Sequence, residues 1–528
     1  MLMPSAARGD YEFTAGGRLF AGAGSSEFAP YYLNSGKHGR LTQSDNVLLD
    51  LYACDSLSLS RRFDFAWGVE ALGGYESKAD YMRYHEDKGW TLNPQKPASV
   101  WLQQLYAEVK WRCLYLSVGM KDRGSVFVDN RLSSGDLIWS GNTRGIPEVR
   151  IGFVDFQTIP WLKGWVQADL CIGYGKMMDA DWINNHYNYY SGMRHPGNYW
   201  TYKRIYLRSN PEKNFMFQLG FQMTGMFGGT SFYYDKGVEQ TSRRVSQGAG
   251  IRDFFDMLLP LDNGKEGYIN GDHKGSWDIA ARYRFDGGHT LRAYTQWFWE
   301  DGTSLLKKNG WDGLWGIEYR HSGRWWINGA AVEYLDLTNQ SGPLHWDPTQ
   351  TADGERLTGQ VRGNDWYYNN GFHGPYSYYG QTIGTPAVMG NIFNVDGSGW
   401  LDYTRVRGVH VAVEGSLGRY VDWIVKYGHR KAWGRTNNYR LVRPAEADNW
   451  MIGASWHVAN VPGLSVSGAF GADTGSLPGK AFGVLFSVSY DKIIRFKRKL
   501  WLVRVIPHTW APASGAVCLL CRYVCCPH

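Results

Sequence analysis

The chain has 528 residues, enough for two or three soluble domains or for one large barrel. Its net charge of +7 is modest for this length. No dense run of lysine and arginine is interleaved with aromatic residues, which argues against nucleic acid as a partner.

Aromatic residues make up 16% of the chain, yet mean hydropathy is −0.41. No stretch approaches about 18 apolar residues, which excludes a transmembrane helix. Three classes remain: a secreted β-rich enzyme acting on glycans, a soluble propeller, and a transmembrane β-barrel with a polar lumen.

The two ends of the chain differ from its body. Residues 1–9 lack a positively charged region followed by an apolar segment, so we expect a remnant without its signal peptide. Residues 497–528 are rich in cysteine and do not alternate, and we expect this tail to lie outside the fold. Its cysteine and histidine spacing fits no zinc site, so neither a metal nor another cofactor is expected. The predicted domain organisation is one barrel over residues 10–496.

Along this body, eighteen runs alternate between apolar and polar residues, the period expected of β-strands. The clearest is 63–75, where Phe63, Phe65 and Trp67 share one face and Asp64 lies on the other. The predicted strands are 10–24, 46–55, 63–75, 100–111, 114–120, 148–156, 165–175, 202–208, 215–227, 277–285, 290–300, 312–320, 325–335, 405–414, 420–429, 449–458, 463–472 and 482–490.

The connections between these runs are alternately long and short. The long ones are 25–45, 76–99, 121–147, 176–201, 228–276, 301–311, 336–404, 430–448 and 473–481, and those between them are short turns. This alternation is typical of an up-and-down barrel with tight periplasmic turns and large outer loops, and a sandwich or propeller does not explain it. Alternation within a run leaves open whether its apolar face meets lipid or a soluble core.

We therefore predict an all-β fold, a transmembrane up-and-down β-barrel of about 18 antiparallel strands with long outer loops, in a bacterial outer membrane. Outer-membrane lipid and the barrel-assembly machinery are the partners expected of such a barrel. Aromatic residues near the ends of the runs fit two interfacial girdles: Tyr75, Trp111, Trp165, Trp299, Trp325 and Trp450. Charged residues predicted to face the lumen are Lys110, Arg282, Arg284 and Arg292, and a short helix is predicted within 250–258.

The sequence offers little support for catalysis. Asp179 and Asp181 could form the acid and base of a glycosidase, but carboxylates two residues apart are more often solvated or ion-binding. No glycine-rich phosphate loop, Gly-x-Ser-x-Gly elbow or His-Glu-x-x-His pattern occurs. We expect a protein that is not an enzyme.

Two long loops, 182–202 and 366–379, instead place aromatic residues beside small polar ones. Flat rings stack on the apolar faces of sugars, while amide, guanidinium and hydroxyl groups bond to sugar hydroxyls and carboxylates. The candidate polysaccharide-binding residues are Trp182, Tyr187, Tyr189, Tyr190, Trp200, Trp366, Tyr367, Tyr368, Tyr376 and Tyr379. The alternative is that these rings only pack the loops into a plug or form the outer girdle.

Residues 132–150 read LSSGDLIWSGNTRGIPEVR, a structured loop leading into a strand. Pro147 cannot donate to a sheet ladder and therefore belongs at the mouth of that strand. The block resembles one carried by the Wzi family of outer-membrane capsule-assembly proteins, in the branch seen in Bacteroides-type bacteria. The signature positions are Ser133, Ser134, Gly135, Ser140, Gly141, Asn142, Arg144, Pro147 and Arg150.

The resemblance covers most of residues 10–490, including 28–32, 104–110 and 380–386. It implies an outer-membrane lectin that holds capsular or surface polysaccharide, and it leaves open whether the signature residues contact glycan or only fold the loop. The chain departs from the family pattern in its two ends and in having no obvious periplasmic helical bundle. The runner-up is a substrate-selective porin, because eighteen strands enclose enough lumen to conduct.

Overall fold

The computed structural model describes residues 11–58, 62–258, 271–300, 302–305, 307, 309–340, 365–435, 441 and 443–496. Within them, eighteen long antiparallel strands form one closed barrel, as predicted. The predicted N-terminal remnant and the cysteine-rich tail lie outside the described residues, so their assignment stays a prediction.

The barrel strands follow one another around the wall in chain order. They are β1 Tyr11–Gly24, β2 Asn46–Ser58, β3 Phe63–Glu76, β4 Val100–Trp111, β5 Leu114–Met120, β6 Glu148–Phe153, β7 Val166–Lys176, β8 Asn198–Ser209, β9 Phe215–Gly228, β10 Asp272–Arg284, β11 His289–Trp299, β12 Gly313–His321, β13 Gly329–Asp336, β14 Val406–Leu417, β15 Val421–Ala432, β16 Ala445–His457, β17 Leu464–Gly475 and β18 Ala481–Phe496.

The barrel closes where β18 pairs with β1. Tyr11 lies opposite Phe496 and Gly24 lies opposite Gly483, so the ladder runs the full length of β1. Closure leaves no free sheet edge, and each strand satisfies its backbone groups with its two neighbours, as lipid requires. This long ladder also explains why β18 extends to 496, beyond the predicted end at 490. A second predicted boundary was wrong by four residues: β13 begins at 329 rather than 325, because 322–328 forms the turn.

The two faces of each strand meet different surroundings. On β2, Val47, Leu49 and Leu51 are about half exposed, whereas Leu48 and Asp50 between them are buried. Apolar side chains therefore cover the outside of the barrel, and mixed polar and apolar side chains fill its inside, which is the pattern of a lipid-facing wall. Arg292, for example, points inward and pairs with Glu318 at 3.4 Å.

Exposed aromatic side chains mark both rims of this wall. Five of the six predicted girdle residues are exposed: Tyr75, Trp111, Trp165, Trp325 and Trp450. The prediction for Trp299 was wrong, because this ring is only 2% exposed. Trp299 lies opposite Gly275 in the ladder, and its ring packs over that glycine. A Cβ on Gly275 would come within 2.1 Å of the ring.

The outer loops carry the remaining structure and are named here L1 to L9 in chain order. The helices are α1 Tyr31–Asn34 in L1, α2 Ala180–His186 in L4, α3 Ile251–Asp256 in L5 and α4 Gly302–Leu305 in L6, and α3 confirms the helix predicted within 250–258. No helix within the described ranges is long and apolar enough to cross a membrane.

Small strands add to L2, L4, L5 and L7. Ala79–His85 and Gly89–Gln95 pair as the L2 hairpin, and Gly192–Arg194 of L4 pairs with Thr230–Asp235 of L5. Two-residue strands and single-turn 3₁₀ helices complete the secondary structure: Gln157–Thr158, Val238–Glu239, Val245–Ser246, Asn369–Asn370, Gly374–Pro375, Ser377–Tyr378, Gln381–Thr382, Pro160–Leu162, Thr241–Arg243, Asp286–Gly288 and Asn391–Phe393.

Candidate functional site

Loops L3 (121–147) and L7 (337–405, described over 337–340 and 365–405) fold into the barrel and form a plug. Leu137 and Ile138 of L3 are fully buried against Tyr368 and Tyr376 of L7. Eighteen strands enclose a lumen that is wide enough for a channel, so these loops occupy space that wall side chains cannot fill. Three cavities beside the described loops have volumes of about 30, 10 and 20 Å³, each enough for about one water molecule.

Two carboxylates fix L3 to the wall. Glu333 of β13 accepts hydrogen bonds from the Ser133 hydroxyl and the Ser134 backbone N–H, both at 2.6 Å. Asp136 of L3 accepts hydrogen bonds from the side-chain amides of the wall residues Gln222 and Gln296, each at 3.0 Å. Burial raises the pKa of Asp136 above its ordinary value, and the hydrogen bonds oppose that shift. An irregular loop inside the barrel thus finds polar partners that a helix or strand would supply itself.

L7 holds the other side of L3 by its backbone. The Ser140 hydroxyl donates to the Gly384 carbonyl at 2.6 Å, and the Asn142 amide donates to the Thr382 carbonyl at 3.2 Å. In the reverse direction, the Tyr368 hydroxyl donates to the Leu137 carbonyl at 2.8 Å. The Tyr376 hydroxyl donates to the next carbonyl, that of Ile138, also at 2.8 Å.

Glycines make the close approach of L3 to L7 and to L1 feasible. Gly135 has φ +116°, and a Cβ there would lie 2.6 Å from Cδ of Pro386 in L7. Gly141 has φ +74°, and a Cβ there would lie 2.9 Å from the His38 ring. Both positions therefore require a residue without a side chain.

The remaining signature residues lie where L3 returns to the wall. The Arg144 guanidinium lies between the rings of Trp101 and Tyr379, 4.6 and 4.7 Å from their centroids. Arg150 stacks on two rings in the same way, and it donates to Glu148 at 3.0 Å. Pro147 stands at the mouth of β6, as predicted, and its carbonyl accepts the Lys176 backbone N–H at 3.1 Å. The nine signature positions all take part in building or anchoring the plug.

The ten candidate polysaccharide-binding aromatic residues divide into two groups. Five are at most 1% exposed and pack inside the loops: Tyr187, Trp200, Tyr367, Tyr368 and Tyr376. The other five are partly exposed: Trp182, Tyr189, Tyr190, Trp366 and Tyr379. In this structure the first group has no surface to offer a polymer outside the cell, because its rings and hydroxyls fasten the loops to one another.

Above the plug, parts of L2, L4 and L7 form a cap. The Met82 backbone N–H of the L2 hairpin donates to the Val395 carbonyl of L7 at 2.9 Å. The Tyr84 N–H donates to the Asn188 carbonyl of L4 at 2.8 Å, and the Arg83 guanidinium donates to the Asn184 carbonyl at 3.0 Å. These contacts, two of them between backbone groups, hold the hairpin at a fixed position on the outer face of the molecule.

The cap carries an aromatic cluster made of Tyr84, Trp90 and Tyr190. Trp90 lies 5.7 Å from Tyr84 and 4.9 Å from Tyr190, measured between ring centroids, and it is 44% exposed. On the opposite face of the hairpin, the Asn93 amide donates to the Asn185 carbonyl of L4 at 3.0 Å. An exposed aromatic ring held in a fixed position offers a flat apolar surface that suits an amphipathic, hydrated ligand.

Sequence reasoning selected Tyr190 but missed Tyr84 and Trp90. A signal for them was present, since residues 79–95 alternate around a turn that contains Gly89. Gly89 has φ +68°, as the tight turn of the L2 hairpin requires.

Three buried histidines lie between the cap loops. His186 stacks on Trp182 at 4.6 Å, and the rings of His195 and His373 are 5.5 Å apart. Burial lowers the pKa of His186 and His373 to about 4 and that of His195, next to His373, to about 3. Nowhere in the described part of the chain do three His, Cys, Asp or Glu residues come together as metal ligands.

Comparisons with known proteins identify the fold. No protein-family model matches the sequence, and no curated protein matches it significantly. Among solved structures, the chain is similar to Wzi from Escherichia coli, described as an outer-membrane protein involved in group 1 capsule assembly and a carbohydrate-binding β-barrel. The TM-score is 0.53 at 12% identity, over 92% of this chain and 85% of Wzi.

Porins align with lower scores. OprD from Pseudomonas aeruginosa has a TM-score of 0.43 at 9% identity, over 92% of this chain and 95% of OprD. OmpF from Salmonella typhi has a TM-score of 0.37 at 10% identity, over 91% of this chain and 97% of OmpF. At 12% identity the likeness to Wzi speaks for the fold alone: the chain has a Wzi-like outer-membrane barrel fold.

Proposed function

We propose that this protein is a non-enzymatic, lectin-like protein of the outer membrane. It binds capsular or surface polysaccharide on its outer cap and helps to assemble or retain the capsule at the cell surface. The observation that carries the proposal is the cluster of Tyr84, Trp90 and Tyr190, whose rings pack against one another on the cap and leave Trp90 44% exposed. A stacked aromatic contact contributes roughly 0.5–1.5 kcal/mol beyond area burial, so one cluster gives weak binding. Retention of a long polymer then comes from many such contacts along the chain and across neighbouring copies.

The plug supports this role over that of a substrate-selective porin. Conduction needs an open lumen, whereas L3 and L7 are joined by side-chain and backbone hydrogen bonds and packed around Leu137 and Ile138. A closed barrel with its aromatic cluster on the outside suits a protein that holds a ligand at the surface.

The test compares Trp90→Ala/Tyr190→Ala with a matched variant, Trp161→Ala. Trp161 is more exposed than Trp90 but lies in the periplasmic turn between β6 and β7. With the protein in lipid nanodiscs, we expect the double variant to bind purified capsular polysaccharide at least about tenfold more weakly, with no change for Trp161→Ala. Absence of binding by the unaltered protein, or equal binding by the double variant, would overturn the proposal.

The non-enzymatic part of the proposal has its own measurement. Polysaccharide incubated with the protein should keep its size distribution in size-exclusion chromatography. Shortening that depends on Asp179 or Asp181 would favour a glycosidase instead.

A further inference from the structure

Loop L5 crosses the barrel rim and places α3 on the outside of the wall. The positions that frame it are Val149, Tyr174, Thr201, Gly225 and His273, which lie side by side in register across β6 to β10. Val149 is about half exposed on the lipid-facing side, so this row belongs to the outer face of the barrel. The helix packs on the same face.

Two apolar contacts fix α3 in this position. The Phe254 ring stacks on Tyr174 with 3.8 Å between centroids, and the Tyr174 hydroxyl donates to the Phe254 carbonyl at 2.9 Å. Met257, directly after the helix, sits over Gly225, where a Cβ would come within 2.4 Å of its methyl group. Gly225 therefore provides a seat for Met257 on the outer wall.

A polar contact explains why the wall needs this cover. Lys203 faces outward, opposite Ile172 and one step above the exposed Ile205. Its ammonium group donates to the Met257 carbonyl and is largely buried beneath the segment. A bare cation on a lipid-facing wall is unfavourable, and the end of α3 supplies the partner that lipid chains lack.

The side of α3 that does not touch the wall remains apolar and exposed. Ile251 is 81% exposed and Phe255 is 59% exposed, and the two follow the i, i+4 spacing of one helix face. This face continues the exposed apolar band of the barrel, which includes Leu207 and Leu219 on the strands below.

We propose that α3 is an interfacial anchor whose Ile251 and Phe255 side chains insert into the outer leaflet beside β7 to β10. The occupant of this face is the acyl-chain region of the surrounding membrane lipid. Continuity with the lipid-facing band argues for lipid rather than a second protein, and a short helix with one apolar face is suited to the membrane interface. The proposal rests on the barrel fold and does not depend on polysaccharide binding.

The test places a photoreactive benzoylphenylalanine at one phenylalanine at a time in the full chain in native outer membranes. Phe255→benzoylphenylalanine is the probe, Phe217 at 42% exposure on the lipid-facing wall is the positive control, and Phe372 at 43% exposure in L7 is the negative control. We expect lipid adducts by mass spectrometry at 255 and 217 and none at 372. Adducts at 255 with protein, or no more lipid there than at 372, would overturn the proposal.

A second measurement tests the proposal without the photoreactive label, in case the labelled protein misfolds. Ile251→Ser/Phe255→Ser in nanodiscs should speed hydrogen exchange of residues 250–257 at least about tenfold, while Val238→Ser in the same loop should leave them unchanged. Unchanged exchange in the double variant would also count against the anchor.

Discussion

Glu333 and Asp136 show how single residues make an irregular loop stable inside a barrel. Each carboxylate gathers donors that L3 or the wall would otherwise leave unpaired, including the Tyr294 hydroxyl at 2.5 Å from Glu333. Leaving a buried donor unpaired costs about 1–3 kcal/mol. Because each of these two carboxylates pairs several donors, each contributes to the stability of the plug through several hydrogen bonds at once. Serine and glycine at the signature positions serve the same end, because small residues let the L3 backbone reach those carboxylates and L7.

Gly135→Ala should weaken the plug specifically. Gly36→Ala in L1 is the matched control, since Gly36 also has positive φ but nothing lies within 4 Å of its added Cβ. We expect Gly36→Ala to lower the free energy of unfolding by about 1–2 kcal/mol, from backbone strain alone. Gly135→Ala should lose a further 1–3 kcal/mol or so, because its Cβ also displaces Pro386. Urea unfolding in detergent micelles measures both, and equal losses would show that L3 and L7 do not press together at this point.

At the scale of elements, the strands could be predicted from sequence because lipid-facing and lumen-facing residues alternate strictly. The roles of the loop aromatics could not. A tyrosine that stacks on a sugar and one that donates to a buried carbonyl, such as Tyr376, sit in the same kind of Tyr- and Asn-rich segment. Only the partner 238 residues away, Ile138, distinguishes them. The same limit explains Trp299, whose burial depends on Gly275 across the ladder.

The cap should loosen in acid because its histidines are buried in the neutral form. Their pKa values in the folded protein, about 3 to 4, lie below the value of about 6.5 expected once they are exposed. The opened state therefore binds more protons, so the stabilisation is complete above pH 6.5 and declines as the pH falls toward 4. We expect hydrogen exchange of residues 186–195 and 371–376, corrected for intrinsic rates, to rise between pH 7 and pH 4.5.

His195→Gln should reduce the slope of the free energy of cap opening against pH by on the order of 1 kcal/mol per pH unit. His289→Gln, at an exposed periplasmic turn, provides the control and should leave it intact. An acid response that survives His195→Gln unchanged would assign the effect to other groups.

At the scale of the whole molecule, the ladders that close the barrel are formed by the strands alone, without residues of L3 or L7. Replacing residues 127–146 of L3 by a glycine-serine linker removes the packing around Leu137 and Ile138 but leaves the strand ladders. In planar bilayers the unaltered protein should be silent, and the L3 replacement should produce steady conductance, below that of a fully open eighteen-stranded pore because L7 still occupies part of the lumen.

Replacement of the L2 hairpin, 79–95, offers the matched comparison, because that hairpin lies on the cap and not in the lumen. It should remain silent. Steady conductance by the unaltered protein would revive the porin alternative.

The ladder between β1 and β18 also sets an order of events during biogenesis. The wall is sealed only by its final strand, while the segments that meet at its centre are contributed by L3 and L7, more than two hundred residues apart. Those segments must be drawn inward while the wall is still an open sheet, or thread through the outer mouth afterwards. The first route avoids that passage. We therefore expect L3 and L7 to pack together before β18 pairs with β1, and we expect the folding of L7 to limit the rate of barrel closure.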